Sequence, residues 1–144
     1  MSDSRVNLMT APQVQEFLRK VFPQLGERFD VDEVGPYRAT LSLEATQAQL
    51  RPGGTVSGPT LFALADLAFY VATLVMIGPE ALTVTTNASI NFMRKPRPGR
   101  LRGEARVLKL GKTLSVGDVT IYSEGLDDPV AHASVTYSIP PRAS

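Results

Sequence analysis

Arg51-Pro-Gly-Gly-Thr-Val-Ser-Gly-Pro-Thr60 runs directly into Leu61-Phe-Ala-Leu-Ala-Asp-Leu-Ala-Phe-Tyr-Val-Ala-Thr-Leu-Val-Met-Ile77. A Gly/Pro turn feeds a helix that is apolar on most of its circumference. Leu61, Leu64, Leu67, Ala68, Val71, Leu74 and Val75 recur at helical spacing, and Phe62, Phe69 and Met76 fill other sides. Such a helix is buried all round. Between Ser57 and Gly78 only Asp66 is charged, and a lone carboxylate is costly to bury unless it is paired or used. As a membrane span the apolar run falls short of roughly 20 residues, and an Asp at its centre would cost about 2.5 to 3.5 kcal/mol. The stretch predicts a core helix over 57–77, wrapped by the rest of the chain.

Working outward, Thr10 is a candidate N-cap and Pro12 suits a first helical turn. Val14, Phe17, Leu18 and Val21 then follow at helix spacing. This predicts a short helix from about Ala11 to Phe22, closed by Pro23 and Gly26, within an N-terminal helical segment 1–25. Arg28 to Val34 and Tyr37 to Leu43 read as a hairpin turning at Gly35-Pro36. Glu44 to Leu50 reads as loop or a short helical turn. After Gly78-Pro79, Leu82 to Met93 alternates strictly. Thr83, Thr85, Asn87, Ser89 and Asn91 fall on one face, and Leu82, Val84, Thr86, Ala88, Ile90 and Phe92 on the other, as in a half-buried strand. Arg94 to Arg100 is a basic turn. Leu101 to Leu110, Thr113 to Tyr122 and Pro129 to Ile139 are three further strands. The order, helix, two strands, long helix, four strands, is an α+β layout. An antiparallel sheet of about six strands curved around one buried helix satisfies every pattern.

With 144 residues the chain reads as a single domain, 1–144. It has no cysteine and one histidine, which excludes disulfides and Cys-built zinc sites and argues against a His-built metal centre; no cofactor is expected. Fifteen Lys and Arg against fourteen Asp and Glu give a net charge of +1, so no global field points to nucleic acid or an anionic membrane. Met1 to Thr10 contains no apolar stretch of the length a secretory signal requires, and the expectation is a cytoplasmic protein.

The element order, together with Gly54-Thr-Val-Ser-Gly-Pro-Thr-Leu-Phe-Ala-Leu-Ala-Asp66, resembles the hotdog-fold acyl-CoA thioesterases of the PaaI type. In that family a Gly-Thr-Val/Leu-His-Gly-Gly turn leads into the central helix and an Asp follows about one helical stretch later. Ile90-Asn-Phe-Met-Arg-Lys-Pro96 and Val107-Leu-Lys-Leu-Gly-Lys112 look like two further landmarks. Three positions depart from the pattern: Ser57 stands where the family has His, Pro59 where it has a second Gly, and Arg51 where it often has Asn. The resemblance implies a hotdog fold, hydrolysis of acyl-CoA, and a homo-oligomer, dimer or dimer of dimers, with the site between two chains. It also implies catalytic roles for Asp66 and Gly58, and for Thr85 at a position that is Ser or Thr in related enzymes.

Thioester hydrolysis needs a donor for the developing oxyanion and a base or nucleophile for the acyl carbon. Gly58 presents its N–H at the positive end of the long helix with no side chain in the way. Pro59 has no N–H, which leaves Gly58 and Thr60 as donors. Asp66, eight residues on, lies roughly 12 Å along the helix from Gly58. One carbonyl cannot touch both, so if both act on one thioester they come from different subunits with antiparallel helices. Asp66 is a general base, a nucleophile, or a merely paired carboxylate. Ser57 caps the helix or meets substrate; Thr85 bonds the attacking water or Asp66, or is only a good strand former. Arg51 is a candidate for the pantetheine arm. Arg94, Lys95, Lys109 and Lys112, with Arg97 and Arg100, lie at two turns that a hairpin arrangement would bring together to hold CoA phosphates. Phe62, Phe69 and Tyr70 suggest room for an apolar acyl group. His132 falls on the polar face of the last strand, away from any site. The rival readings are a non-catalytic acyl-CoA or acyl-carrier-protein binding module, and a structural dimer.

Overall fold

The computed structural model describes residues 7–24, 28–46, 50–51 and 55–141, with the backbone alone at 50, 51 and 55. Helix α1, Ala11–Val21, opens on a capping box. The Thr10 amide donates to Gln13 Oε1 at 2.9 Å and the Gln13 amide to Thr10 Oγ1 at 3.3 Å, so two orphan N–H groups of the first turn are satisfied reciprocally. Strands β1 (Phe29–Gly35) and β2 (Arg38–Ala45) form the expected hairpin. A two-residue ladder that periodicity did not reveal, β3 (Leu50–Arg51) with β4 (Thr55–Val56), precedes the long helix α2, Gly58–Ile77. Strands β5 (Val84–Phe92), β6 (Gly99–Leu110), β7 (Leu114–Ser123) and β8 (Ala131–Ser138) complete the chain. Gly26 and the 47–49 stretch lie outside the described residues.

Six strands form one sheet in the order β1-β2-β6-β7-β8-β5, antiparallel throughout. The hotdog architecture is therefore present. Ser57 caps α2, and Gly78, at φ 94°, ends it where a side chain would be strained. Although α2 is long and apolar enough to cross a membrane by composition, its run from Leu64 to Met76 is buried apart from Asp66. Each fully buried Leu, Val or Phe there contributes about 1.5 to 3 kcal/mol over exposure. The sheet makes room for it. A Cβ at Gly117 would come within 2.5 Å of the Phe69 ring, so only glycine allows β7 and α2 to approach this closely.

The sheet's two edges, β1 and β5, differ. Along β1, Gln15 of α1 acts as a substitute strand: its Nε2 donates to Phe29 O at 2.9 Å and its Oε1 accepts from the Val31 amide at 2.7 Å. Among the described residues strand β5 has no such cover, and the expected half-buried alternation fails there. A β-bulge between Thr85 and Asn87 breaks the register against β8 and inverts the faces. Thr83 and Thr85 point toward α2 before it, and Ala88 and Ile90 are the more enclosed positions after it. Leu82, Val84 and Phe92, expected on the buried face, are 76%, 53% and 54% exposed.

Candidate active site

The stripe Ala63, Asp66, Leu67 and Tyr70 of α2 faces the gap between the two edges of the curled sheet. A pocket of about 250 Å³ opens there, bounded also by Phe29 of β1, by Val84 and Thr85 of β5, and by Phe22 and Tyr137. Asp66 is half-buried, not enclosed as its apolar neighbours suggested. Thr85 Oγ1 donates to its Oδ1 at 2.6 Å, and the Tyr137 hydroxyl lies 2.9 Å from the same oxygen and 3.0 Å from the Asp66 carbonyl oxygen. Both donors converge on Oδ1. Among the described residues Oδ2 has no hydrogen-bond partner. The side chain is thus held through one oxygen.

Tyr137 is the functional residue that sequence reasoning missed. It alternates with His132, Ser134 and Thr136 on the face of Ala131, Ala133 and Val135, and a phenol placed among apolar neighbours needs a partner for its hydroxyl. Register supplies the partner, because Tyr137 pairs with Thr85 across β8 and β5. Burial, and then the Asp66 carboxylate beside it, push the Tyr137 phenol well above its ordinary range, so it remains a donor. Burial likewise raises Tyr70 to about 12.

At the entrance to α2, Ser57 Oγ accepts from the Thr60 amide at 3.4 Å and shares a 2.9 Å hydrogen bond with Thr60 Oγ1. Ser57 is a cap, and the Thr60 amide is engaged with it. Pro59 follows Gly58 directly, so the Gly58 amide is the first-turn donor left over. Gly58 abuts the other end of β5, where a Cβ would meet Phe92 Cζ at 3.3 Å. Asp66 and Gly58 therefore sit at opposite ends of the same edge strand. The side chain of Arg51 lies outside the described residues.

The two basic turns are not brought together within one chain. They lie at opposite ends of the 12-residue strand β6, roughly 35 Å apart at about 3.3 Å per residue. Arg94 donates to the Pro129 carbonyl at 2.8 Å and lies 3.9 Å from Asp128. Arg100 is committed to Asp30 at 2.6 Å. Lys109 and Lys112 flank the β6–β7 turn, at the end of the sheet that holds Thr85 and Tyr137. Of the three aromatic residues expected around an acyl group, only Tyr70 lines the pocket; Phe69 is buried against Tyr137 at 5.7 Å, and Phe62 is exposed. His132, on the outer face, bonds Asp118 at 2.9 Å alongside Arg106. Among the described residues no group of three His, Asp or Glu side chains is placed to hold a metal ion.

The profile of the thioesterase superfamily matches residues 53–130, which include the helix, Asp66 and Thr85. A Silicibacter structure assigned by inference as a thioesterase is 49% identical, covers 94% of each chain and superposes with a TM-score of 0.87. A point mutant of the phenylacetic acid degradation protein PaaI from Thermus thermophilus is 25% identical, with a TM-score of 0.70, over 87% of this chain and 99% of that one. A Saccharolobus solfataricus protein assigned by inference as an esterase is 29% identical over 119 residues, 80% of this chain and 76% of that protein. With the wrapped helix and its hydrogen-bonded carboxylate, these likenesses show that the chain belongs to the thioesterase superfamily, as a PaaI-like hotdog member and thioester hydrolase.

Proposed function

We propose that the protein hydrolyses acyl-CoA thioesters at a site completed by a second copy of the chain. The observation that carries this is Asp66, fixed through Oδ1 by Thr85 and Tyr137 beside a pocket, while the one spare helix-end amide, Gly58, lies eight residues away on the same helix. Pairing two β5 edges antiparallel about a two-fold axis sets Gly58 of the partner subunit near Asp66. It also uses an edge whose Val84, Phe92 and nearby Phe62 are exposed apolar groups. The same operation carries Arg94 and Lys95 of the partner subunit toward the end of the sheet that holds Lys109 and Lys112. Strand β6 is three inter-strand steps, roughly 14 Å, from β5, a span suited to the phosphates of CoA.

In the reaction the thioester carbonyl oxygen receives a hydrogen bond from the Gly58 amide as charge develops on it. Asp66 Oδ2 takes a proton from water as its oxygen bonds the acyl carbon, or attacks that carbon itself. The C–S bond then breaks, and CoA leaves as its thiolate, which takes up a proton; where Asp66 itself has attacked, water then cleaves the acyl–Asp66 anhydride, releasing the free acid and restoring the carboxylate. The test is thiol release from short, medium, long-chain and aromatic acyl-CoAs by wild type and Asp66→Asn. We expect turnover that collapses by about 100-fold or more in the variant while thioester binding persists. Binding without turnover in the wild type would favour an acyl-CoA or acyl-carrier-protein binding module, the reading that the Ser57 cap and the missing Pro59 donor support.

A further inference from the structure

At its Tyr70 end the pocket is bounded by the N-terminal helix as well as by the sheet. From Asp66 the pocket runs along the α2 stripe to Tyr70, one helical turn on, and there it meets Phe22, the C-cap residue of α1. The Phe22 ring stands edge-on to Tyr70, with centroids 5.6 Å apart and planes at 74°. Helix α1 is anchored there independently of any ligand. Val14 and Leu18 are fully buried, and Gln15 is bonded to the β1 backbone on two sides. A wall set on such an anchored helix is fixed in position.

We infer that Phe22 is a specificity-determining residue, setting the length of acyl group that the site accepts. The inference rests on the acyl-CoA hydrolysis proposed above. A cavity of about 150 Å³ holds one benzene ring, so about 250 Å³ admits an acyl group of roughly eight carbons once the thioester itself is seated. Remaining walls are apolar or aromatic at Phe29, Ala63 and Leu67, which favours a compact hydrocarbon over a charged acyl group. Longer chains must displace Phe22 from Tyr70.

The experiment is a profile of kcat/KM against acyl length, from butyryl-CoA to palmitoyl-CoA, for wild type, Phe22→Ala, Phe22→Leu and Phe22→Trp. Circular dichroism and thermal melts confirm that each variant is folded. The wild-type profile is expected to fall about tenfold or more beyond roughly eight carbons. In Phe22→Ala the ratio of dodecanoyl to hexanoyl rates should rise about tenfold, Phe22→Leu should fall between the two, and Phe22→Trp should move the limit to shorter chains. The leucine variant keeps the test open if alanine unfolds α1. Parallel profiles in all folded variants would overturn the inference while leaving hydrolysis intact; no turnover by the wild type at any length would overturn both.

Discussion

Thr85 Oγ1 donates to Asp66 Oδ1 at 2.6 Å, from the residue just before the β-bulge that inverts strand β5. Without that extra residue, β5 could not turn Thr85 toward the carboxylate and still turn Ala88 and Ile90 inward further on. Bulges recur where a side chain must be re-aimed, and here the re-aimed side chain holds the catalytic candidate. Because the same oxygen also accepts from Tyr137 at 2.9 Å, the two donors act as one clamp.

Removing either donor should lower kcat more than it changes KM. Thr85→Val and Tyr137→Phe are each expected to reduce kcat by about 10- to 100-fold, the scale of a misplaced reacting group. The double variant should lose less than the product of the two, since they share one acceptor. Steady-state kinetics on the best acyl-CoA decide this. A rise in KM with kcat unchanged would assign the pair to substrate binding instead.

Much of this was legible in the sequence, for identifiable reasons. The all-round apolar pattern of Leu61 to Met76, interrupted by one charge, read as a wrapped helix, and that charge drew attention to Asp66. Ser57 read as an N-cap from its residue type and position alone. The clamp was half legible. Thr85 was visible, but its pairing with Tyr137 depends on β5 and β8 being neighbours in a particular register, a long-range fact that local periodicity does not carry. The bulge at Thr86 hid the exposure of Leu82 and Val84, because one extra residue leaves the alternation looking regular while reversing the faces on its two sides. The basic turns looked adjacent because hairpins bring neighbours together; β6 is long enough to hold them apart.

Stability should fall at both ends of the pH scale. In the fold Tyr70 is raised to about 12 and Tyr137 is raised further by burial and by Asp66, whereas both titrate near 10 when unfolded. Above about pH 10 the unfolded chain has released protons that the folded chain retains, so unfolding becomes easier as pH rises. At the acid end, burial raises Asp118, but the hydrogen bonds from Arg106 and His132 outweigh it and leave its carboxyl lowered. Its contribution is therefore present above about pH 4 and is lost as pH falls through the lowered value. Urea unfolding between pH 2 and 11 measures both limbs. Tyr137→Phe should flatten the alkaline limb and Asp118→Asn the acid one; limbs unchanged in both variants would contradict the assignment.

The most direct test of the shared site is complementation between two inactive chains. Asp66→Asn removes the reacting carboxylate, and Gly58→Pro removes the helix-end N–H. Proline suits the first helical position, Ser57 before it is already extended at φ −70° and ψ 150°, and a Cβ there meets the half-exposed end of Phe92 at 3.3 Å. Each homo-oligomer should retain about 1% of wild-type turnover or less. Mixed dimers isolated through two different tags should recover about half of it, because a two-fold interface leaves one of the two sites with both groups intact. Mixed dimers as inactive as their parents would contradict the account, placing both groups of each site within one chain.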